Sequence, residues 1–458
     1  MKKLFYIPAL VCAFALVSCA PSEVEDIFDE NPAARLDNAV KNYTELLKSD
    51  GGRWLMQYFA NPDEEGYNFV MTFHNDGSVD ISTQNSVVNG GAFITDKSTW
   101  DVVSDYGPVL SFNTYNKAFH VFSSPQSDGT GHGGDYEFII LSADNDRINL
   151  RAKKSRSKDA VIDVVMTRLS STEYPTDEDY FTQLTSVRRN AFSDRISNYV
   201  LTYSDGTRYI CNDVATMLWS FYPETGTLLD NGEYMNAITT TKGLRFMQPL
   251  EFLTENEADQ EHVVKIQNFE FQPDGSLLCT DDGATRITGP SLADLFHQRL
   301  IRWRLSNTEG QVGGQFVDLF NAISAEANVN FKTSKWKNPR LDFIQLCYDS
   351  AKAKYGLYFS FGGTGGSSTG YIYLDNQVVD ANTVKFTFNP DPDVAFDKNT
   401  QGKYGNGQIY YEKLPSIATY INMLCASEFS FTSDNVMVPN PMTMTSKSNS
   451  NDFVVLSF

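Results

Sequence analysis

Imidazole and carboxylate side chains lie close together in one glycine-rich stretch of the chain. The stretch contains His120, His132, Asp135 and Glu137. Asp135 and Glu137 would share a face of a strand, because strand side chains alternate. Two imidazoles and two carboxylates are a ligand set for a divalent metal. Polar residues at the rim of a β-structure fit the same pattern, and nothing in the sequence brings His120 near the others. We therefore predict no metal and no other cofactor.

Two serine motifs resemble catalytic signatures. Gly366-Ser367-Ser368-Thr369-Gly370 matches the nucleophile elbow, but that chemistry needs a later histidine, and the last one, His297, precedes the motif. We expect a flexible hairpin loop there. Ser155-Arg156-Ser157-Lys158 matches S-x-x-K without its companion motifs and indicates a solvated charge run. We predict no catalytic residue, although carboxylate pairs for glycoside cleavage are invisible in a sequence with 57 acidic residues.

Cys19 is predicted to be acylated. Lys2 and Lys3 precede an apolar run from residue 4 to 17, which is shorter than the roughly 18 residues that a spanning helix needs. Leu16-Val17-Ser18-Cys19 then fits a lipobox, in which cleavage before the cysteine frees it to receive lipid such as palmitate. Residues 1–18 are thus a lipoprotein signal peptide and residues 19–31 an acidic tether. Cleavage of an ordinary signal peptide at a small residue is the alternative.

Charge and cysteine spacing exclude other classes. The chain of 458 residues has 37 basic and 57 acidic residues, and loss of Lys2 and Lys3 with the signal peptide leaves a net charge of −22. Nucleic acid is disfavoured as a partner, because phosphate binding needs clustered basic residues. The remaining cysteines are Cys211, Cys279, Cys347 and Cys425. Their wide spacing is not that of a zinc site and leaves open buried thiols or disulfides.

The pattern of short aromatic stretches between turn residues predicts a mainly β protein with minor α+β character. Helical spacing from Leu36 to Leu47 ends at Gly51-Gly52, and about eight strands follow, with a tight turn at Asn75-Asp76-Gly77. Residues 32–175 are therefore predicted to form a helix and an up-and-down antiparallel barrel.

Residues 176–458 are predicted to form a second β domain. It starts with a helix over residues 180–191 and carries a helical insertion near residues 290–328, with one helix from Ser291 to Trp303. The hairpin sequence at residues 269–276 matches that at residues 71–78, which suggests a duplicated architecture. Chance is the rival explanation, because hairpin sequences are common. The fold expected is two antiparallel barrel or sandwich units with a few helices.

Trp54, at the start of a strand after Gly51-Gly52 and followed by the meander, resembles the first strand of lipocalin-like (calycin) barrels. The lipobox, residues 110–122 and residues 133–138 together resemble a functionally uncharacterised family of Bacteroidota surface lipoproteins, a domain of unknown function. The acidic stretch after Cys19 is similar to the surface-export signal of such lipoproteins. The resemblance implies a lipid anchor in the outer membrane, exposure at the cell surface and a neighbouring nutrient-uptake system of the starch-utilisation type. It supplies no catalytic residues.

The resulting hypothesis is a noncatalytic surface lipoprotein that binds a glycan, peptide or small nutrient beside an outer-membrane transporter. A secreted hydrolase with an unrecognised site and a structural or adhesive surface protein are the alternatives. Ligands usually enter at loops around an apolar floor. The predicted ligand-binding residues are accordingly Tyr115, Asn116, His120, His132, Asp135 and Glu137. Aromatic side chains that would bind a sugar or peptide if exposed are Trp54, Trp100, Tyr115, Trp219 and Trp336.

Overall fold

The computed structural model describes residues 31–125, 131–154, 161–224, 234–251, 265–399 and 401–458. The signal peptide, Cys19 and the tether up to residue 30 lie outside the described residues, as does the motif at residues 155–158. The described residues contain seven α-helices and 25 β-strands. The strands form two closed eight-stranded barrels and one open nine-stranded sheet. The prediction of a mainly β protein with two antiparallel barrels is confirmed.

Barrel 1 follows helix α1 (Pro32–Lys48), which begins with Pro32 in its first turn and the side chain of Asn31 as N-cap. Each strand pairs with its neighbour in sequence, and β1 also pairs with β8. The strands are β1 (Arg53–Phe59), β2 (Gly66–Phe73), β3 (Ser78–Thr83), β4 (Ile94–Ser104), β5 (Pro108–Phe112), β6 (Glu137–Ala143), β7 (Arg147–Ala152) and β8 (Asp163–Arg168).

Aromatic side chains occupy the interior of barrel 1. The ring of Tyr58 lies 5.4 Å from that of Phe119 and 5.9 Å from that of Phe138, measured between centroids. Phe119 and Phe122 come from the segment between β5 and β6, which includes a 3₁₀ turn at His120–Ser123. Edge-to-face packing of these rings stabilises the barrel core. The inside of barrel 1 is therefore used for packing.

Helix α2 (Asp177–Ala191) packs on the outside of barrel 1. Its buried side chains Tyr180, Phe181 and Leu184 form one apolar cluster with Leu55 and Val70 of the barrel. An ion pair of 2.7 Å between Arg53 and Asp177 ties the start of the helix to β1. The sequence interpretation placed this helix at the start of the second domain, whereas the structure packs it against the first barrel. The difference arises because a helix packs where its apolar face is covered, whatever its order in the chain.

Barrel 2 repeats the meander, with β9 paired to both β10 and β16. Trp219 and Phe246 pack inside it, with ring centroids 5.2 Å apart. Its strands are β9 (Tyr199–Thr202), β10 (Arg208–Asn212), β11 (Leu218–Pro223), β12 (Tyr234–Thr239), β13 (Gly243–Glu251), β14 (Lys265–Phe271), β15 (Leu277–Cys279) and β16 (Arg286–Thr288).

The two matching hairpin sequences do not occupy equivalent places in the barrels. One joins β2 to β3 and is the second turn of barrel 1 in chain order. The other joins β14 to β15 and is the sixth turn of barrel 2. In both turns an aspartate, Asp76 or Asp274, accepts hydrogen bonds from the backbone and hydroxyl of the serine two residues later. The match thus reflects shared turn chemistry.

The third unit is an opened barrel. Its first strand pairs with both its second and its last, as in the closed barrels, but β20 and β21 lie at opposite edges. Helices α4 (Gln315–Asn330), α6 (Asn406–Lys413) and α7 (Pro415–Ala426) pack on the sheet. The remaining elements are α3 (Leu292–Phe296), α5 (Pro392–Ala395), β17 (Arg302–Leu305), β18 (Lys337–Asp349), β19 (Lys354–Thr364), β20 (Gly366–Tyr373), β21 (Asp375–Asp380), β22 (Thr383–Thr387), β23 (Glu428–Thr432), β24 (Met442–Ser446) and β25 (Phe453–Ser457).

This unit differs from the sequence interpretation in two ways. Residues 176–458 were expected to form one β domain with a helical insertion, but their strands divide between barrel 2 and the open sheet, on which α3 and α4 pack. The predicted helix from Ser291 to Trp303 ends at Phe296, and Trp303 lies in β17. Residues 302–305 alternate between exposed and buried, and this two-residue period favours a strand.

Candidate functional site

A cleft of about 570 Å³ opens between barrel 1 and barrel 2. Barrel 1 contributes residues of β1 and β8 and the segment that leads into α2. Barrel 2 contributes the hairpin between β12 and β13, part of β14 and the turn after β15. This volume lies within the range of about 300–1,000 Å³ that small-molecule sites usually have.

Direct contacts of β12 with β2 and with the loop before β2 fix the relative position of the barrels. Asn68 donates from Nδ2 to the carbonyl of Thr239 at 2.8 Å, and Asn236 donates to the carbonyl of Pro62 at 2.6 Å. Gly66 faces Ile238 so closely that a Cβ at this glycine would lie 2.5 Å from the Ile238 Cβ. Close packing of this kind makes the cleft a preformed feature of the two barrels.

Arg245 of β13 is the unusual residue of the cleft. Phe246 points into barrel 2, so alternation along the strand directs Arg245 outward, towards barrel 1. Its side chain is buried, with 6% of the residue exposed, and Nε and Nη1 have no hydrogen-bond partner among the described residues. Nη2 donates to the carbonyl of Asp163 at 3.4 Å, a long contact. Burial, and secondly the charge of Arg147, lower the pKa of Arg245 to about 10.

The cleft is slightly positive in an acidic protein. The charged residues of its lining are Arg147, Arg168, Glu173, Lys242, Arg245, Glu270 and Asp281. Four cations against three carboxylates leave one net positive charge. Lys242 and Glu173 form an ion pair at 3.0 Å, and the Asp281 carboxylate accepts the backbone N–H groups of Gln267 and Asn268. These groups thus have partners, whereas Arg245 lacks a carboxylate of its own.

Gln57 faces the same cleft from barrel 1. Its neighbour Tyr58 packs in the barrel interior, so the Gln57 side chain points outward from β1. In the part of the chain that the structure describes, the side-chain oxygen of Gln57 is buried without a hydrogen-bond partner. Beside the cleft, the described residues thus leave donors of one barrel and an acceptor of the other unpaired and closed to solvent, and leaving such groups unpaired costs free energy.

Three of the residues predicted to bind a ligand form one compact turn. Asn116 is fully buried, accepts the backbone N–H of Phe119 at 2.9 Å and donates its own N–H to Nδ1 of His120 at 3.1 Å. Nδ1 of His120 is therefore an acceptor, and Nε2 donates to the carbonyl of Phe112 at 3.2 Å. Burial lowers the pKa of His120. Tyr115 is exposed, and its ring centroid lies 5.7 Å from that of His120.

The other three predicted residues have separate partners. His132 binds Glu64, with 2.8 Å between Nδ1 and the carboxylate, and Glu137 lies 3.3 Å from the ammonium of Lys153. The buried carboxylate of Asp135 accepts the backbone N–H groups of Tyr136, Glu137 and Lys154. No group of three or more metal-binding side chains is placed around a common point within the described ranges. The cavity beside Asp135 measures about 50 Å³, too small for a sugar.

The aromatic candidates are mostly core residues. Trp54, Trp100 and Trp219 are buried, and Trp336 stacks on Phe331 with ring centroids 6.1 Å apart. Tyr115 alone among the five is exposed. Sequence reasoning missed Arg245, because an arginine that alternates with apolar residues along a strand is expected to face solvent. Only the packing of barrel 1 against barrel 2 covers it.

The glycine-rich serine motif lies in a strand, which corrects the expectation of a flexible loop. Residues 366–370 belong to β20, and Ser368 shares a hydrogen bond with the hydroxyl of Tyr410 on α6. A Cβ at Gly370 would lie 2.7 Å from the backbone nitrogen of Gly407, so the small residues allow the helix to pack directly on the strand.

Two closed β-barrels with a shared polar cleft and an appended opened barrel define a tandem barrel protein. The chain belongs to the family described as domain of unknown function DUF4302, whose sequence profile matches residues 24–260. The matched region contains Gln57, Arg147, Arg168 and Arg245. No curated protein is a match to the sequence. Within the part of the chain that the structure describes, no helix is long and apolar enough to cross a membrane.

Proposed function

We propose that this protein is a noncatalytic, lipid-anchored binding protein that holds a glycan, peptide or small nutrient in the cleft between its two closed barrels. The observation that carries the proposal is the preformed cleft in which Arg245 and Gln57 present buried, unpaired hydrogen-bonding groups. Binding sites combine a concave shape with a few such convergent polar groups.

The chemistry of the cleft favours binding over catalysis. The described residues that line it include neither histidine nor cysteine. Two of its three carboxylates, Glu173 and Asp281, are held by an ion pair and by backbone N–H groups, and the third is that of Glu270. General acid–base catalysis needs a group that is free to exchange a proton with the substrate. Held carboxylates beside an unpaired guanidinium suit recognition instead.

The residues from Lys2 to Cys19 support the proposed cellular setting. The lipobox ending in Cys19 supports a lipid anchor, and the acidic segment behind it supports export to the surface of the outer membrane, as in the Bacteroidota lipoproteins that the sequence resembles. A binding protein in this place would pass its ligand to a neighbouring outer-membrane transporter. The transporter is the proposed protein partner.

A ligand screen with a cleft-blocking variant tests the proposal. Soluble protein that starts at residue 20 would be screened against glycans, peptides and small nutrients. Thr280 is exposed at the edge of the cleft, so Thr280→Trp should obstruct it and weaken binding at least about tenfold. Thr419→Trp, on the exposed face of α7, is the matched control and should bind like the wild type. Equal affinity of Thr280→Trp and wild type, or no ligand in the screen, would refute the cleft as the binding site.

A further inference from the structure

We propose that the ligand is a small monoanion that also carries hydroxyl groups, of the sugar-acid class, with its carboxylate bound by Arg245 and a hydroxyl donating to Gln57. This inference rests on the proposed function, because it names the chemical class that the same cleft would accept.

The buried guanidinium of Arg245 favours a negatively charged ligand. Arg245 is nine-tenths buried, and the nearby carboxylate of Asp163 is already bound by Arg151, 2.9 Å from its Nε. Within the described residues, only the charge of Asp163, its carbonyl and the ring of Phe59, 5.8 Å from the guanidinium carbon, offset the buried charge of Arg245. A buried charge with such weak partners is costly, and the positive charge of Arg147 adds to the cost. Nε and Nη1 are closed to solvent, so the guanidinium would turn towards the cleft when a ligand binds. A carboxylate there would accept its hydrogen bonds and offset both charges.

The balance of charge limits the anion to a single negative charge. The four cations and three carboxylates of the lining leave a net charge of +1. The net charge of the cleft would balance one negative charge of a doubly charged phosphate ester. The carboxylates of Glu173, Glu270 and Asp281 would repel its second negative charge. Like charges in a partly enclosed site repel strongly, because water screens them poorly there. A carboxylate is therefore the better match.

The opposite wall explains the hydroxyl groups. The unpaired side-chain oxygen of Gln57 needs a donor, and a simple carboxylate has none. Gln57 belongs to barrel 1 and Arg245 to barrel 2, so a ligand that pairs with both contacts both barrels. Sugar acids combine the two functional groups in one molecule of a size that a cleft of about 570 Å³ accommodates.

Matched probes separate the two contacts. Calorimetric titrations of the soluble protein would compare glucuronate, galacturonate and gluconate with glucose, galactose and sorbitol, and with acetate. At least one sugar acid should bind about tenfold or more tightly than its neutral counterpart and than acetate. A rising salt concentration should lower the affinity for that sugar acid and leave the affinity for neutral sugars unchanged, because salt screens the interaction between the carboxylate and Arg245.

Two variants test the named residues. Arg245→Met should reduce the affinity for the sugar acid to that for the neutral sugar, without lowering the melting temperature, because an unpaired buried cation is removed. Gln57→Leu should lower the affinity for the sugar acid and leave the affinity for acetate unchanged. Arg340→Gln, on the exposed face of β18, is the control for loss of an arginine and should bind like the wild type.

The outcomes distinguish this inference from the proposed function. If neutral sugars bind as tightly as sugar acids, or if wild-type binding does not depend on salt, the proposal of a monoanionic ligand is wrong. The cleft would still be the binding site if Thr280→Trp abolishes binding. If no ligand of any class is sensitive to Thr280→Trp, both proposals fail. If Arg245→Met does not fold, the salt dependence of wild-type binding still tests whether the ligand is an anion.

Discussion

The guanidinium carbon of Arg168, in the last strand of barrel 1, lies 3.8 Å from the centre of the Trp54 ring in the first strand. The same guanidinium donates to the carbonyl of Ser49 at 2.7 Å, and Trp54 donates from its indole nitrogen to the carbonyl of Leu47 at 3.0 Å. One arginine thereby joins the end of α1 to both strands that close the barrel. In the opened barrel, Trp303 donates to the carbonyl of Phe296 at the same spacing of seven residues.

Replacement of Arg168 by lysine should destabilise barrel 1 by about 2 kcal/mol, because the stacked guanidinium and its hydrogen bonds to the helix end are lost together. The measurement is urea unfolding followed by tryptophan fluorescence. Arg151→Lys alters an ion pair with Asp163 that is about 40% exposed, and we expect less than about 0.5 kcal/mol. Equal effects of the two substitutions would contradict the closing role of Arg168.

Asn116→Ala should lower stability by about 1–2 kcal/mol, because the fully buried amide caps the turn before His120. Thermal unfolding measures the change. Glu137→Ala in β6 removes a partly exposed carboxylate and should leave the melting temperature nearly unchanged. If Asn116→Ala is as stable as the wild type yet binds ligand less well, the turn is a binding site and the structural role assigned to Asn116 is wrong.

His120 should make the protein less stable in mild acid. Burial lowers the pKa of His120 below its ordinary value of 6.5, so the unfolded chain takes up the proton more readily than the native one. The native state is favoured fully above about pH 6.5 and loses this advantage as the pH falls towards the lowered pKa. His120→Asn should therefore show a smaller drop in melting temperature between about pH 7.5 and pH 5.5. An identical drop in both proteins would exclude His120 as the cause.

All four cysteines of the described residues are free thiols, which decides between the alternatives left open by their spacing. Burial raises the pKa of each thiol, that of Cys279 to about 12, so the reactive thiolate is scarce at neutral pH. In soluble protein that starts at residue 20, Ellman's reagent should react slowly with the native state and detect four thiols in denaturant. Detection of two thiols without reductant would indicate a disulfide.

Cys19→Ser should release the protein from the membrane, because no thiol remains to accept the lipid. Partition into detergent measures anchoring in cells that express the full chain. Cys12→Ser, inside the apolar run that would be removed, is the matched control and should partition like the wild type. If Cys19→Ser still enters the detergent phase, the predicted lipid anchor is wrong.

Several elements could be predicted from local signals in the sequence. The spacing from Leu36 to Leu47 predicted α1, and Asn75-Asp76-Gly77 predicted the turn between β2 and β3, where Gly77 has a φ of +80°. In each case the signal is a turn residue or a periodicity within a few residues, so no distant part of the chain is needed to interpret it.

The opened barrel and the role of the 116–137 segment depended on distant parts of the chain. The pairing of β17 with β25 joins the two ends of the third unit, and a strand's own residues do not specify such a partner. Likewise, Asn116, His120 and Asp135 have the residue types of a ligand site, but the structure turns Oδ1 of Asn116, Nε2 of His120 and the carboxylate of Asp135 towards backbone groups. Nδ2 of Asn116 is buried without a hydrogen-bond partner among the described residues. Residue type alone does not distinguish a polar side chain that binds a ligand from one that supports a loop.

The sequence by itself determined a mainly β chain, its first helix, its tight turns and the barrel-forming meander, because these follow from the order and spacing of neighbouring residues. Only the tertiary structure decided that Arg245 and Gln57 line one cleft. Both side chains point outward from their own barrels, where a single barrel would leave them in water. The contact between β2 and β12 brings each barrel over the side chain of the other, and burial without a partner among the described residues then makes them candidates for ligand binding.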